Sequence, residues 1–250
     1  MAGTLQLPLV DLSSSDRAAT ARSIRQACLE YGFFYLTNHG IGRDVFQQVF
    51  WESKKFFSLP LDEKMRLRRN EDHRGYTPPY DENLDPSSKS KGDLKESFYI
   101  GPAKGGRSMF DVNQWPSLDT LPLWRATMVS YYDKVMTIGK QLLSLIALAL
   151  NLDEQFFELI GALNSPMAFV RLLHYPVGEL WDEDHDNFGA SAHSDYGMIT
   201  LLATDGVPGL QICREKHRWP QLWEDVPHID GAFIVNVGDM LERWTNCLFR

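Results

Sequence analysis

Cysteine is scarce in this chain of 250 residues, which has only Cys28, Cys213 and Cys247. Their wide spacing provides neither a disulfide framework nor a C-x-x-C metal clip. Reduced thiols are the simplest interpretation, and they predict a cytoplasmic protein. The N-terminus also lacks a basic segment followed by an apolar one, so no secretory signal is expected.

Long apolar runs and an excess of positive charge are missing as well. The longest apolar stretch, residues 142–150, is interrupted by Ser144 and is far shorter than the roughly 20 residues that cross a bilayer. The formal net charge is −8, whereas nucleic-acid-binding proteins usually present a basic face. We therefore expect neither a membrane nor a nucleic acid as partner. The basic cluster at residues 64–69 is interpreted as a solvated helix end.

Regular hydrophobic periodicity fills the first part of the chain. Apolar spacing predicts a helix over residues 18–31, with Asp16 as its N-cap, and further helices over 44–57, 123–150 and 153–163. The aromatic segment 32–36 is typical of a strand. Residues 70–93 are rich in Pro, Ser, Asp and Gly, and they predict a long loop with little regular structure.

Short apolar runs separated by turn residues replace the helical pattern after Pro166. Strands are predicted at 168–175, 198–203, 209–213 and 232–237, a spacing typical of a sandwich, a barrel or a jelly roll. The sequence therefore predicts an α+β protein. Its mostly helical region covers residues 1–165, and its all-β region covers residues 166–250.

Common catalytic motifs are absent: there is no G-x-x-x-x-G-K-[ST], G-x-G-x-x-G, G-x-S-x-G or H-E-x-x-H. The remaining candidate is His193-Ser194-Asp195. On a strand, residues two apart share a face. An imidazole and a carboxylate on one face are two ligands of a 2-His-1-carboxylate Fe(II) site. By itself the motif is weak, and the alternative is a surface histidine beside a turn-forming aspartate.

The flanking segments carry more information than the pair itself. They are, in chain order, Leu7–Leu12 (LPLVDL), Tyr31–Ile41 (YGFFYLTNHGI), Phe56–Pro60, Arg74–Tyr76, Arg171–Pro176 (RLLHYP), Ile199–Leu202, Val207–Ile212, Trp219–Pro220 and Phe233–Asn246. In this order they resemble the plant and fungal 2-oxoglutarate/Fe(II) oxygenases related to isopenicillin N synthase. The resemblance covers nearly the whole chain.

This resemblance implies a double-stranded β-helix, or jelly roll, with an N-terminal helical region packed outside it. It makes His193 and Asp195 iron ligands and Tyr175 a hydrogen-bond donor to 2-oxoglutarate. Tyr76 and Phe98 become candidate substrate contacts, although core packing explains them equally well. The implied reaction uses Fe(II), 2-oxoglutarate and O2, with stimulation by ascorbate. It oxidises a small organic molecule, by default through hydroxylation, with desaturation or ring closure as alternatives, and it releases succinate and CO2.

One departure from the family pattern concerns the third iron ligand. The family has a second histidine and an R-x-S pair after the segment that resembles Asp239–Asn246, and neither occurs before Arg250. We therefore expect the third ligand and the closing C-terminal strands to be missing. The alternative hypothesis is a non-catalytic or regulatory truncated form, or an incomplete gene product. Four other histidines lie in the β region, and none is expected to replace the missing ligand: His174, His185, His217 and His228.

Overall fold

A computed structural model of the chain describes residues 5–84, 92–102, 112–164, 166–176 and 188–250. The helices are α1 (Arg17–Glu30), α2 (Arg43–Phe57), α3 (Leu61–Met65), α4 (Trp124–Ala149), α5 (Phe156–Leu159) and α6 (Asp239–Trp244). The strands are β1 (Leu9–Asp11), β2 (Phe33–Thr37), β3 (Gly75–Thr77), β4 (Glu96–Ile100), β5 (Val170–His174), β6 (Ile199–Leu202), β7 (Gln211–Ile212), β8 (Glu224–Asp225) and β9 (Phe233–Val237).

The chain divides into two compact units. Unit 1 comprises Met1–Phe46, Thr137–Asn164 and Ser194–Arg250, and unit 2 comprises Gln47–Met136 and Ser165–His193. Each unit therefore draws on segments from both sides of residues 165 and 166. The division into a helical and an all-β region at that point stays a prediction. Among the described residues, no helix combines the length and the apolar character needed to cross a bilayer.

Unit 1 is built on a four-stranded sheet in the order β1-β2-β9-β6. Strands β1 and β2 are parallel, and the other pairs are antiparallel. Helix α1 packs against β1 and β2 and buries Ala21, Ile24, Ala27 and Cys28. Asp16 caps this helix as predicted, because its side chain accepts a hydrogen bond of 2.9 Å from the Ala19 amide.

Unit 2 contains the antiparallel sheet β3-β4-β5. One face of the sheet carries an aromatic core in which the rings of Phe56 and Trp124 pack against Phe98 at centroid distances of 4.8 and 5.0 Å. Lys64 is buried beside this core, and its ammonium lies 2.7 Å from the Glu96 carboxylate. The prediction of a solvated helix end at residues 64–69 is therefore wrong at Lys64, because an ion pair with β4 draws its side chain inward.

Two other local predictions are corrected by the structure. Strand β3 lies inside the stretch predicted as an irregular loop, because Tyr76 exchanges hydrogen bonds with the backbone near Leu67 and Arg69 while β3 pairs with β4. Residues 85–91 of that loop lie outside the described residues. The helix predicted over 153–163 is only Phe156–Leu159, and the chain soon turns at Gly161, whose φ is 76°.

Candidate metal centre

His193 and Asp195 do not lie on a strand, so that part of the sequence interpretation is wrong. Strand β6 begins only at Ile199, and both residues belong to the irregular segment before it. The backbone there pairs with the start of α6 instead of a neighbouring strand. The Asp239 amide donates to the Asp195 carbonyl at 2.7 Å, and the Met240 amide donates to the Gly197 carbonyl at 3.1 Å.

The orientation of His193 is set within unit 2. Its Nδ1 lies 2.7 Å from the carbonyl oxygen of Ser191. A carbonyl can only accept, so this contact assigns the proton of a neutral imidazole to Nδ1 and the lone pair to Nε2. Metal-binding histidines are oriented in the same way by a carbonyl or carboxylate on the other ring nitrogen. His193 therefore fits the role of an Nε2 ligand.

Asp195 is oriented within unit 1. The Asn236 side-chain amide donates to Oδ2 of Asp195 at 2.8 Å. The adjacent Ser194 hydroxyl donates to the Asp239 carboxylate at 3.0 Å. These contacts, together with the bond to the Asp195 carbonyl, fix the short segment that carries the carboxylate. Asn236 was not assigned a role from the sequence, although it is the one polar residue in the apolar run of β9.

His193 and Asp195 are the two candidate metal ligands, and they are close neighbours in the sequence. Only Ser194 separates them, so the covalent chain keeps their Cα atoms within about 7 Å. An imidazole nitrogen and a carboxylate oxygen are ligand types that suit Fe(II), and the assignment of these two residues as iron ligands stays a prediction. In the described part of the chain, no group of three or more His, Cys, Asp or Glu side chains is placed to hold a metal ion.

Tyr175 follows β5 in unit 2. Its ring lies against Gly189, where an added Cβ would be 2.8 Å from the ring carbon Cδ1. Burial of the phenol raises the pKa of Tyr175, while the Arg171 guanidinium acts in the opposite direction. The phenol therefore keeps its proton at neutral pH and can donate a hydrogen bond to a carboxylate. Its assignment to 2-oxoglutarate stays a prediction.

Tyr76 and Phe98 are both fully buried in unit 2. They are cross-strand partners, and Phe98 in turn faces Leu172 on β5. Cross-strand partners share a face and neighbours along a strand alternate, so both rings lie on the face opposite to Arg171. The Tyr76 hydroxyl donates to the Glu96 carboxylate. Both residues are thus part of the buried core of unit 2, and their role toward a substrate stays a prediction.

The other histidines of the β region have different surroundings. Nδ1 of His174 lies 2.7 Å from the Glu96 carboxylate, and Nδ1 of His228 lies 2.7 Å from the Thr204 hydroxyl. His217 is exposed in a turn. His185 lies outside the described residues. None of the three described histidines belongs to a group of three or more His, Cys, Asp or Glu side chains that could hold a metal ion.

Comparison with known proteins identifies the family. Residues 7–118 match the family described as non-haem dioxygenase in morphine synthesis N-terminal, and residues 166–250 match the 2OG-Fe(II) oxygenase superfamily. A Citrus sinensis protein named kihadalactone A synthase LFS is 42% identical, over 98% of this chain and 75% of its own length. The Emericella nidulans 2-oxoglutarate-Fe(II) type oxidoreductase hxnY is 35% identical, over 96% of this chain and 71% of its own length.

Solved structures agree with these sequence matches. A full-length Neurospora crassa protein in complex with alpha-KG superimposes with a TM-score of 0.85 at 29% identity, covering 100% of this chain and 78% of that one. JOX2 in complex with 2OG, Fe and JA gives 0.82 at 25% identity, covering 99% of this chain and 69% of that one. The chain therefore belongs to the 2-oxoglutarate/Fe(II)-dependent dioxygenases, enzymes with a jelly-roll fold that use Fe(II), 2-oxoglutarate and O2.

Proposed function

We propose that this protein hydroxylates a small organic molecule and couples that oxidation to the conversion of 2-oxoglutarate into succinate and CO2. The observation that carries the proposal is the imidazole of His193, which the Ser191 carbonyl holds in the tautomer that a metal ligand needs. Asp195, the next residue but one, supplies a carboxylate oriented by Asn236. No observation favours a non-catalytic form.

Three side chains have distinct tasks in this proposal. Nε2 of His193 and the carboxylate of Asp195 hold the metal, and the protonated phenol of Tyr175 donates to a carboxylate of the cosubstrate. When bound, Fe(II) supplies the activation of O2, which protein side chains cannot perform. The chain itself contributes the orientation of these groups. We also propose a cytoplasmic location, which the scarcity of cysteine supports.

The proposed class of substrate is supported by the range of molecules in the names of related proteins. One relative is named a synthase of kihadalactone A, the Neurospora crassa protein is also solved with thymine, and JOX2 is solved with JA. These names share a small organic molecule and no common scaffold. We therefore carry over the size class alone.

The test measures Fe(II) binding and succinate release by the protein, with 2-oxoglutarate, ascorbate and a panel of small organic molecules. We expect Fe(II)-dependent succinate release that rises with the true substrate, and mass spectrometry of the product should show one added oxygen. Loss of two hydrogens would instead indicate desaturation or ring closure and would overturn the assigned reaction.

His193→Ala should lose Fe(II) binding and turnover, because it removes one protein ligand. His217→Ala is the matched control, since it removes an exposed histidine of unit 1 for which no metal role is assigned. Wild-type protein that neither binds Fe(II) nor forms succinate would refute the proposed function. Equal binding by the two variants would place the metal elsewhere.

A further inference from the structure

Asp93 is a buried carboxylate just before β4, with only 1% of the residue exposed. Its backbone is fixed on both sides: its amide donates to the Glu82 carbonyl at 2.8 Å, and its carbonyl accepts from the Tyr80 amide at 3.0 Å. A buried carboxylate lowers the stability of the fold unless it is paired with a cation or hydrogen-bonded. The sequence interpretation gave Asp93 no role, since it falls in the stretch predicted as a loop.

Asp93 is part of a network of ion pairs inside unit 2. The Lys95 ammonium contacts Oδ2 of Asp93 and lies 3.0 Å from the Glu82 carboxylate, which in turn contacts Arg171. Burial acts to raise the pKa of Asp93, but hydrogen bonds from Lys95 and Ser191 outweigh it and hold that pKa below its ordinary value. Asp93 is therefore ionised at neutral pH, and charged acceptors make the stronger hydrogen bonds.

The second oxygen of Asp93 holds the segment that leads to His193. Oδ1 accepts from the Ser191 amide at 3.0 Å and from the Ser191 hydroxyl at 2.7 Å. Next to it, the Leu94 amide donates to the Phe188 carbonyl at 3.0 Å. Three hydrogen bonds from residues 93 and 94 thus fasten residues 188–191, and two of the three end on one carboxylate oxygen.

Ser191 links the Asp93 carboxylate to the His193 imidazole. Its amide and hydroxyl donate to Asp93, while its carbonyl accepts from Nδ1 of His193 at 2.7 Å. The direction of a peptide carbonyl is fixed once the flanking backbone is fixed. His193 is exposed and belongs to no helix or strand. Regular secondary structure therefore does not orient its side chain.

We propose that Asp93 is a positioning residue for the metal centre, which acts through Ser191 to set the tautomer and direction of the His193 imidazole. The inference rests on the proposed function for the task of His193, and it adds the residue that makes that task possible. Asp93 does not touch the metal. Loss of such an outer partner typically weakens metal binding about 10- to 100-fold, and we expect Asp93→Ala to weaken Fe(II) binding within that range.

The first measurement needs no metal. Long-range nitrogen–proton NMR spectra of the metal-free protein at mildly alkaline pH distinguish the two neutral tautomers of each histidine, and the missing signal of His193→Gln identifies His193. In the wild type we expect the Nδ1-protonated tautomer. In Asp93→Ala we expect a larger fraction of the Nε2-protonated tautomer, because the Ser191 carbonyl is then held less firmly. An unchanged His193 signal in Asp93→Ala would overturn the proposal.

Glu96→Ala is the matched control for lost buried charge. Glu96 is the first residue of β4, is 4% exposed and pairs with a lysine, but it contacts Lys64, Tyr76 and His174 instead of Ser191. This variant should leave the His193 tautomer and the Fe(II) affinity within about twofold of wild type. Equal effects of Glu96→Ala and Asp93→Ala would show general loosening of unit 2 and refute a specific role.

Ser191→Ala decides the matter if Asp93→Ala does not fold, as judged by near-ultraviolet circular dichroism. It removes the hydroxyl bond and keeps the amide bond to Asp93, so we expect a partial tautomer shift and Fe(II) affinity a few-fold lower. Wild-type values for both would refute the proposal. Failure of the wild-type protein to bind Fe(II) would refute the proposed function. The NMR spectra of the metal-free protein would still test whether Asp93 sets the tautomer of His193.

Discussion

Gly238 stands between β9 and α6, where replacement by alanine tests the packing beneath Asp195. Its φ and ψ of −102° and 167° suit any residue, so backbone strain is not the issue. Steric overlap is the obstacle to alanine, because an added Cβ would lie 2.2 Å from the Gly197 carbonyl oxygen and 2.9 Å from that of Asp195. Both obstacles are backbone atoms, which cannot swing away as a side chain would.

The cost of Gly238→Ala follows from these contacts. The segment 195–197 must retreat by about 1 Å, and overpacking of this kind typically costs about 1–3 kcal/mol. The retreat also lengthens the bond of 2.7 Å between the Asp239 amide and the Asp195 carbonyl, whose loss costs about 1 kcal/mol. We therefore expect a loss of about 2–4 kcal/mol in the free energy of unfolding.

Urea denaturation followed by circular dichroism measures this loss, and hydrogen exchange locates it. The Asp239 amide should exchange faster in Gly238→Ala than in the wild type. Gly197→Ala is the control in the same segment, since its Cβ would meet nothing within 4 Å, and its stability should change by at most about 0.5 kcal/mol. Equal stability of the two variants would refute the argument.

Two further predictions concern titratable groups. Burial acts to raise the pKa values of Glu82 and Glu96, but hydrogen bonds from basic partners outweigh it and hold both pKa values below the ordinary 4.5. The two carboxylates therefore stabilise the fold fully above pH 4.5. This stabilisation is lost as the pH falls through their lowered pKa values in the folded protein. The urea midpoint should drop on acidification below 4.5 and drop less in Glu96→Gln, whereas a rise would contradict the ion pairs. Burial raises the pKa of Cys28 to about 12. A thiol reagent at mildly alkaline pH should therefore label the exposed Cys247 and leave Cys28 unlabelled until the protein unfolds. Mass spectrometry of the peptides measures the labelling of each cysteine.

The long helices could be predicted because their information is local. The pattern over residues 18–31 and the cap at Asp16 correspond to α1 at Arg17–Glu30, and the pattern over 123–150 corresponds to α4 at Trp124–Ala149. Apolar runs also indicated β5, β6 and β9. In each case, spacing within one segment determines which side chains can be buried.

Strand β4 was missed because it begins among charged residues whose partners are distant in sequence. No element was predicted for Lys95 and Glu96, whose charges do not indicate a buried strand. Both are nevertheless only 4% exposed, and they pair with Glu82 and Lys64. The metal centre shows the same division. The ordered motifs predicted His193 and Asp195 as metal ligands, and that assignment stays a prediction. Their departure from strand geometry depends on contacts such as the bond from the Asp239 amide to the Asp195 carbonyl, which no local pattern encodes.

The pairing of β2 with β9 has a consequence for biosynthesis. Phe33 pairs with Asn236, so about 200 residues separate the two partners. At about 5–20 residues per second, a ribosome takes about 10–40 seconds to make that stretch. During this time one edge of an aromatic strand in the nascent chain has no partner, and unpaired edges of this kind recruit other chains. Yield in a cell should therefore depend on chaperones that shield the nascent N-terminal segment.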